Sequence, residues 1–215
     1  MNAPGSVYVM HGNEALVRGA LEEGIDFAAS YPGSPSSQVL SMLGNAADRF
    51  NFYAEWSTNE MVAFEAYLGA SFAGARALCI VKQNGLMVLG DALCSGALSG
   101  IRGGLVLITS DDPDSHSSTN EFDSGHMADM AEVPMLEPTC MQEAKDLLPY
   151  AFELSEQLKQ IVMICGIGGQ GNILASELLG TVFVELGYKV AIGETYGASQ
   201  RGGSVMSDVQ VSQDK

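Results

Sequence analysis

Gly74-Ala-Arg-Ala-Leu-Cys-Ile-Val-Lys-Gln-Asn-Gly-Leu86 decides the fold. Five apolar residues, 77–81, have no polar alternation, which predicts a strand buried on both faces. Lys82-Gln-Asn-Gly85 then puts polar residues at the strand's carboxyl end, and helical periodicity follows over residues 86–98. A short apolar strand that feeds a helix is the repeating unit of a parallel α/β sheet.

The unit recurs on both sides. Upstream, residues 13–23 read as a helix with Leu16, Val17, Ala20 and Leu21 on one face, stopped at Gly24. A strand at 27–31 ends in Pro-Gly-Ser-Pro, and residues 60–73 form a helix with Ala63, Phe64, Tyr67 and Leu68 inward. Downstream come a buried strand at 104–109, a short extended piece at 135–137 and an amphipathic helix at 141–156. Residues 160–165, 169–186 and 188–192 then read as strand, helix and strand, with a further strand expected at 205–211. The fold class expected is α/β: a parallel sheet with helices on both faces, followed by a partial Rossmann-like βαβ unit.

Composition sets bounds. The 215 residues are 47% hydrophobic, enough for a core, and no apolar run nears the roughly 20 residues that span a bilayer. The start lacks a signal-peptide pattern, so a cytoplasmic protein is expected. Net charge is −16, which argues against nucleic acid and anionic membrane surfaces as partners. Six basic and 21 acidic residues lie up to Gln157, against four and five beyond it. That shift places a domain boundary near Gln157, dividing the chain into 1–157 and 158–215. Cys79, Cys94, Cys140 and Cys165 have neither C-x-x-C nor iron–sulfur spacing, and Cys79 and Cys165 read as buried reduced thiols.

Five motifs carry candidate chemistry. Tyr31-Pro-Gly-Ser-Pro-Ser-Ser37 follows a strand, and its hydroxyls and amides suit a carboxylate. Without further context it reads as a plain strand-to-helix turn. Trp56-Ser-Thr-Asn-Glu60 enters a helix, where an acid caps the dipole or does proton chemistry beside a cofactor. Lys82-Gln-Asn-Gly85 and the loop Ser110-Asp-Asp-Pro-Asp-Ser-His-Ser-Ser-Thr-Asn-Glu121 have the same strand-end placement. His116 is that loop's one imidazole. Asp111, Asp112 and Asp114 lack a second ligand cluster, so no metal is assigned to this chain. Gly166-Ile-Gly-Gly-Gln-Gly171 fits a dinucleotide turn, with Glu194 placed as a ribose acid, or tight strand-to-helix packing. Glu194-Thr-Tyr-Gly-Ala-Ser-Gln-Arg-Gly-Gly-Ser204 suits a phosphate or a partner chain.

Taken in order, Gly12-Asn-Glu-Ala-Leu-Val-Arg-Gly-Ala-Leu-Glu-Glu-Gly24, Tyr31 to Ser37, Asn59-Glu60, Gly74 to Ala77, Lys82 to Leu86, Asp111-Asp-Pro113, the stretch from His116 to Glu121, and Leu136-Glu-Pro138 resemble the large subunit of indolepyruvate ferredoxin oxidoreductase. The likeness covers nearly all of residues 7–156 and falls in the pyrimidine-binding domain for thiamine diphosphate. From Gln160 onward, Cys165 to Gly171 and Tyr196 to Ser204 resemble the start of the gamma-type small subunit of the same 2-oxoacid:ferredoxin oxidoreductases.

The resemblance implies roles. Glu60 hydrogen-bonds the aminopyrimidine ring nitrogen and favours the imino tautomer that removes the C2 proton of thiamine diphosphate. Ser34 contacts the substrate carboxylate, and His116 and Asn120 line the substrate side. Pro32, Gln83 and Asn84 lie on the cofactor side. Gly166, Gly168, Gly171, Gln200 and Arg201 are left as a phosphate or partner contact. The family oxidises a 2-oxoacid with coenzyme A and passes electrons to ferredoxin. This sequence lacks the family's G-D-G motif for diphosphate and magnesium, and its C-x-x-C-x-x-C iron–sulfur run. Mg2+ and iron–sulfur clusters are therefore expected on another subunit in an oligomer, with the cofactor shared and the isolated chain inactive. The alternatives are a non-catalytic fragment or assembly partner, and a Rossmann nucleotide-binding module using residues 166–171.

Overall fold

A computed structural model describes residues 5–115, 117–167, 181–195 and 206–212. Six parallel strands form one sheet: β1 (Phe27–Ser30), β2 (Tyr53–Trp56), β3 (Ala77–Lys82), β4 (Leu105–Asp111), β5 (Met135–Leu136) and β6 (Val162–Ile167). Their spatial order is β2-β1-β3-β4-β6-β5. The helices are α1 (Gly12–Glu23), α2 (Ser37–Phe50), α3 (Glu60–Phe72), α4 (Gln83–Val88), α5 (Gly90–Ser99), α6 (Gly125–Ala131) and α7 (Met141–Leu158). The expected parallel sheet with helices on both faces is present.

The apolar runs follow from this layering. Along β3, Leu78 and Ile80 face the cluster formed with α1, α2 and α7, which includes Leu16, Leu40, Leu148 and Phe152. Ala77, Cys79 and Val81 face the opposite cluster, with Phe64, Tyr67, Leu86 and Leu93 from α3, α4 and α5. Neither face of the strand meets water, so no residue between 77 and 81 needs to be polar. Phe64, Tyr67 and Phe152 are fully buried, each contributing roughly 2–3 kcal/mol by area.

Two elements differ from expectation. The helix expected over 86–98 starts at Gln83 and breaks at Leu89 into α4 and α5. Leu89 has φ −90° and ψ 6°, outside helical geometry, and its side chain is wholly buried. The helix expected over 141–156 runs on as α7 to Leu158 and ends where Lys159 turns left-handed. After it, β6 enters the same sheet beside β4, with Val106 opposite Val162 and Asp111 opposite Ile167.

Beyond β6 the expected βαβ unit does not appear as a parallel pair. Instead β7 (Lys189–Thr195) pairs antiparallel with β8 (Met206–Ser212) in a separate two-stranded sheet. In sequence, Val209 and Val211 alternate with Asp208, Gln210 and Ser212. This period of two suits a half-covered antiparallel strand, not one buried on both faces. Gly168, Gly171, Gln200 and Arg201, and most of the expected 169–186 helix, lie outside the described residues. No helix among the described residues is long and apolar enough to cross a membrane.

Candidate active site

The chain steps from β1 outward to β2, then returns past β1 to β3. That reversal makes a topological switch point between β1 and β3, and ligands of open parallel sheets bind at the carboxyl ends beside it. The loop after β1 carries Pro32 and Ser34, and the loop after β2 leads to Glu60. Gln83 and Asn84 follow β3, Asn120 lies in the loop after β4, and Gly166 is near the end of β6. All share one edge of the sheet. His116, also after β4, lies outside the described residues.

The edge is stitched together across the strands. Ser30 donates its hydroxyl to the Ile80 carbonyl at 2.7 Å, and the Ser57 amide donates to the Ser30 carbonyl at 2.8 Å. The β1–α2 loop is held by the Gly33 amide, which donates to Ser37 Oγ at 2.7 Å. Ser36 sits at the helix N-cap position but donates to the Gly33 carbonyl at 3.1 Å, so it closes the turn and caps no amide.

Glu60 is not the cap of α3. Asn59 occupies that position and accepts the Val62 amide at 2.9 Å. The Glu60 carboxylate instead lies against the backbone of Gly85. A Cβ built on Gly85 would fall 2.6 Å from Glu60 Cγ and 2.9 Å from Oε1. Among the described residues no donor hydrogen-bonds this carboxylate. Its placement depends on an absent side chain at position 85.

The polar loop after β4 is clamped onto α4. Gln83 is wholly buried; its amide nitrogen donates to the Asn120 carbonyl at 2.8 Å, and its amide oxygen accepts the Asp112 N–H. With both ends engaged, Gln83 contributes by fixing the loop. Asn84 Nδ2 donates to Asn120 Oδ1 at 2.6 Å, while Asn84 Oδ1 is buried without a partner. Asp112 accepts from the Ser117 amide at 2.7 Å and the Ser118 hydroxyl at 2.6 Å. Asp111 accepts from the Ser124 hydroxyl and amide and from the Cys165 thiol at 3.4 Å. These acids serve the loop, and the described residues contain no group of three or more His, Cys, Asp or Glu placed to hold a metal.

Two further residues belong to the site. Lys82 runs its aliphatic stem over Gly33, filling the space a side chain there would take, and its Nζ donates to the Ser117 carbonyl at 3.0 Å. Burial pushes its pKa down, opposed by the nearby charges of Asp112 and Glu60. Gly85 is the other. Both stand in the Lys82-Gln-Asn-Gly85 motif, whose strand-end position was the readable signal. Their partners, Gly33 and Glu60, come from distant sequence and were not.

A carboxylate, a buried amide oxygen without a described partner and a lysine thus stand together at the switch point, the edge where open parallel sheets bind ligands. Residues 18–182 match the family model described as pyruvate flavodoxin/ferredoxin oxidoreductase, thiamine diP-bdg. The chain belongs to that family. Residues 161–215 match a second model, pyruvate ferredoxin/flavodoxin oxidoreductase. Among particular proteins, the chain is 47% identical over 161 residues to the indolepyruvate oxidoreductase subunit IorA of Pyrococcus abyssi, covering 75% of this chain and 25% of that protein. To the IorA subunit of Archaeoglobus fulgidus it is 47% identical over 160 residues, 73% of this chain and 26% of that one. The 2-oxoglutarate synthase subunit KorA of Methanothermobacter thermautotrophicus is 26% identical over 169 residues, covering 74% and 44%. In structure, the chain resembles the 2-oxoglutarate:ferredoxin oxidoreductase from Magnetococcus marinus, with TM-score 0.68 and 18% identity over 78% of this chain and 30% of that one. The chain spans about a quarter of the length of the IorA proteins it matches.

Proposed function

We propose that this chain supplies the aminopyrimidine side of a thiamine diphosphate site in a 2-oxoacid:ferredoxin oxidoreductase acting on an aryl 2-oxoacid such as indolepyruvate. The observation that carries the reading is Glu60: a carboxylate at the switch-point edge, relieved of capping by Asn59 and given room by Gly85. The residues fit the cofactor's heteroaromatic end. Glu60 offers a carboxyl for the ring nitrogen, and Asn84 Oδ1 is an acceptor still lacking a donor, as an exocyclic amine would provide.

When bound, thiamine diphosphate supplies the carbanion chemistry of decarboxylation. Glu60 holds or shares a proton at the ring nitrogen, which is general acid–base work. Ser34, His116 and Asn120 are proposed to line the substrate side, with Pro32, Gln83 and Asn84 shaping the cofactor side. The diphosphate and Mg2+ are assigned to a segment or subunit other than these 215 residues, which contain no Gly-Asp-Gly motif. Iron–sulfur clusters, ferredoxin and coenzyme A likewise belong to the assembled enzyme. We read residues 158–215 as a gamma-type segment joined through β6, with Gly166, Gly168, Gly171, Gln200 and Arg201 meeting a phosphate or a partner chain. The second family match, which starts at residue 161, supports this division.

The test is reconstitution with a partner carrying the diphosphate site. Thiamine diphosphate binding and indolepyruvate-dependent ferredoxin reduction are expected together. A complex that assembles, yet binds NAD and not thiamine diphosphate, would overturn the reading.

A further inference from the structure

We propose that Lys82 is the electrostatic anchor for the substrate's carboxylate, an inference that rests on the 2-oxoacid reading above. Three observations carry it. First is position. Among the described residues, Lys82 is the cation at the carboxyl end of a strand of the six-stranded sheet. Arg76, Arg102 and Lys159 precede strands, and Arg18 and Lys145 are ion-paired on helices. Arg49 lies in the last turn of α2 and Lys189 opens β7 of the separate two-stranded sheet, so Lys82 is the described Lys or Arg at the carboxyl ends of the six-stranded sheet.

Second is geometry. The stem is held over Gly33, the residue before Ser34, and Nζ is fixed by one hydrogen bond to the Ser117 carbonyl at 3.0 Å. An ammonium has three donors. No carboxylate of the described residues lies within 4.0 Å of it, and the nearby Asp112 carboxylate is engaged by Ser117 and Ser118. The lysine is thus held in place with donors left over.

Third is field. The chain's net charge is −16, and Glu60 and Asp112 both act on the site. An anionic substrate entering there meets repulsion that a fixed cation must offset. Half-burial strips water from the ammonium, so a carboxylate gains more by pairing with it than with a solvated lysine.

The reassembled complex tests this with indole-3-pyruvate as substrate and its uncharged methyl ester as a competing ligand. For K82M, KM for the acid is expected to rise roughly tenfold to a hundredfold, with kcat within about threefold of wild type. Inhibition by the ester is expected to stay within about twofold. K82R, which keeps the charge, should restore most of the lost affinity. K82Q, uncharged and one atom shorter but still polar, should behave like K82M and stands in if K82M does not assemble. An unchanged acid KM, or equal weakening of acid and ester, overturns the proposal, because a merely structural lysine affects both ligands alike. Thiamine diphosphate binding by equilibrium dialysis separates the two readings. Its retention alongside an unchanged KM sinks Lys82 alone, and its absence in wild type sinks the functional reading and Lys82 with it.

Discussion

At the scale of single residues, the site depends on who does which job at the start of α3. Asn59 accepts the free helix amide, so Glu60 can turn toward Gly85. Replacing Asn59 with Ala should cost about 1 kcal/mol of stability, read as a lower melting temperature, while the Glu60 side chain remains. Glu60→Gln should leave melting nearly unchanged and reduce ferredoxin reduction by roughly 10²–10⁴-fold, the usual range for a positioned acid–base group. Gly85→Ala should lower activity too, since its methyl would sit 2.6 Å from Glu60 Cγ and must displace that side chain. The Glu60 motif was legible from sequence, but its local reading left capping and proton chemistry open. Only the neighbouring asparagine's hydrogen bond separates the two roles. The cysteines give a check on burial: it pushes the Cys79 and Cys165 thiols well up, whereas Cys140 is exposed. Alkylation at pH 8 of the native protein should label Cys140 and spare Cys79 and Cys165 until the chain is unfolded.

At the scale of elements, the crossing of α1 on α7 shows what apolar pattern cannot reveal. Pro149 lies inside α7 and has no N–H for the carbonyl four residues back, Lys145. That carbonyl faces α1 at Gly19, where a Cβ would come within 2.5 Å of the oxygen. Gly19→Ala would gain about 1 kcal/mol of helix propensity but force two backbones apart, at a cost of about 1–3 kcal/mol. Thermal unfolding should therefore show net destabilisation. Nearby, Arg76 pairs with Glu23 and, at 2.6 Å, with Glu156. The Arg76 hydrogen bond holds the Glu156 pKa below its ordinary 4.5. A depressed carboxyl stabilises the fold above its unfolded pKa, and that stability is lost as pH falls from about 4.5 through the lower folded value. Urea midpoints between pH 7 and pH 3 should fall less steeply in Glu156→Gln than in wild type. The periodicities of α1, α3 and α7 and the apolar runs of β3 and β4 were readable in advance. The break at Leu89, and the entry of β6 into the first sheet, depend on packing across the layers and were not.

At the scale of the whole molecule, six parallel strands bring loops from four parts of the sequence to one edge. The fold class was legible because residues 77–81 of β3 and 105–108 of β4 are apolar on both faces. The proposed need for a further segment or subunit rests on motifs absent from these 215 residues. The isolated chain is expected to show no indolepyruvate-dependent ferredoxin reduction, and activity should appear on titration with a partner subunit and saturate at a fixed ratio. The proposed role of Glu60 as activator of the cofactor can be read without turnover. Proton NMR in deuterated buffer can follow exchange of the C2 proton of thiamine diphosphate bound to the assembled complex, with no substrate, ferredoxin or coenzyme A present. Exchange at least about a hundredfold slower in Glu60→Gln than in wild type is the predicted result; equal exchange rates, with the cofactor equally bound in both, would contradict it.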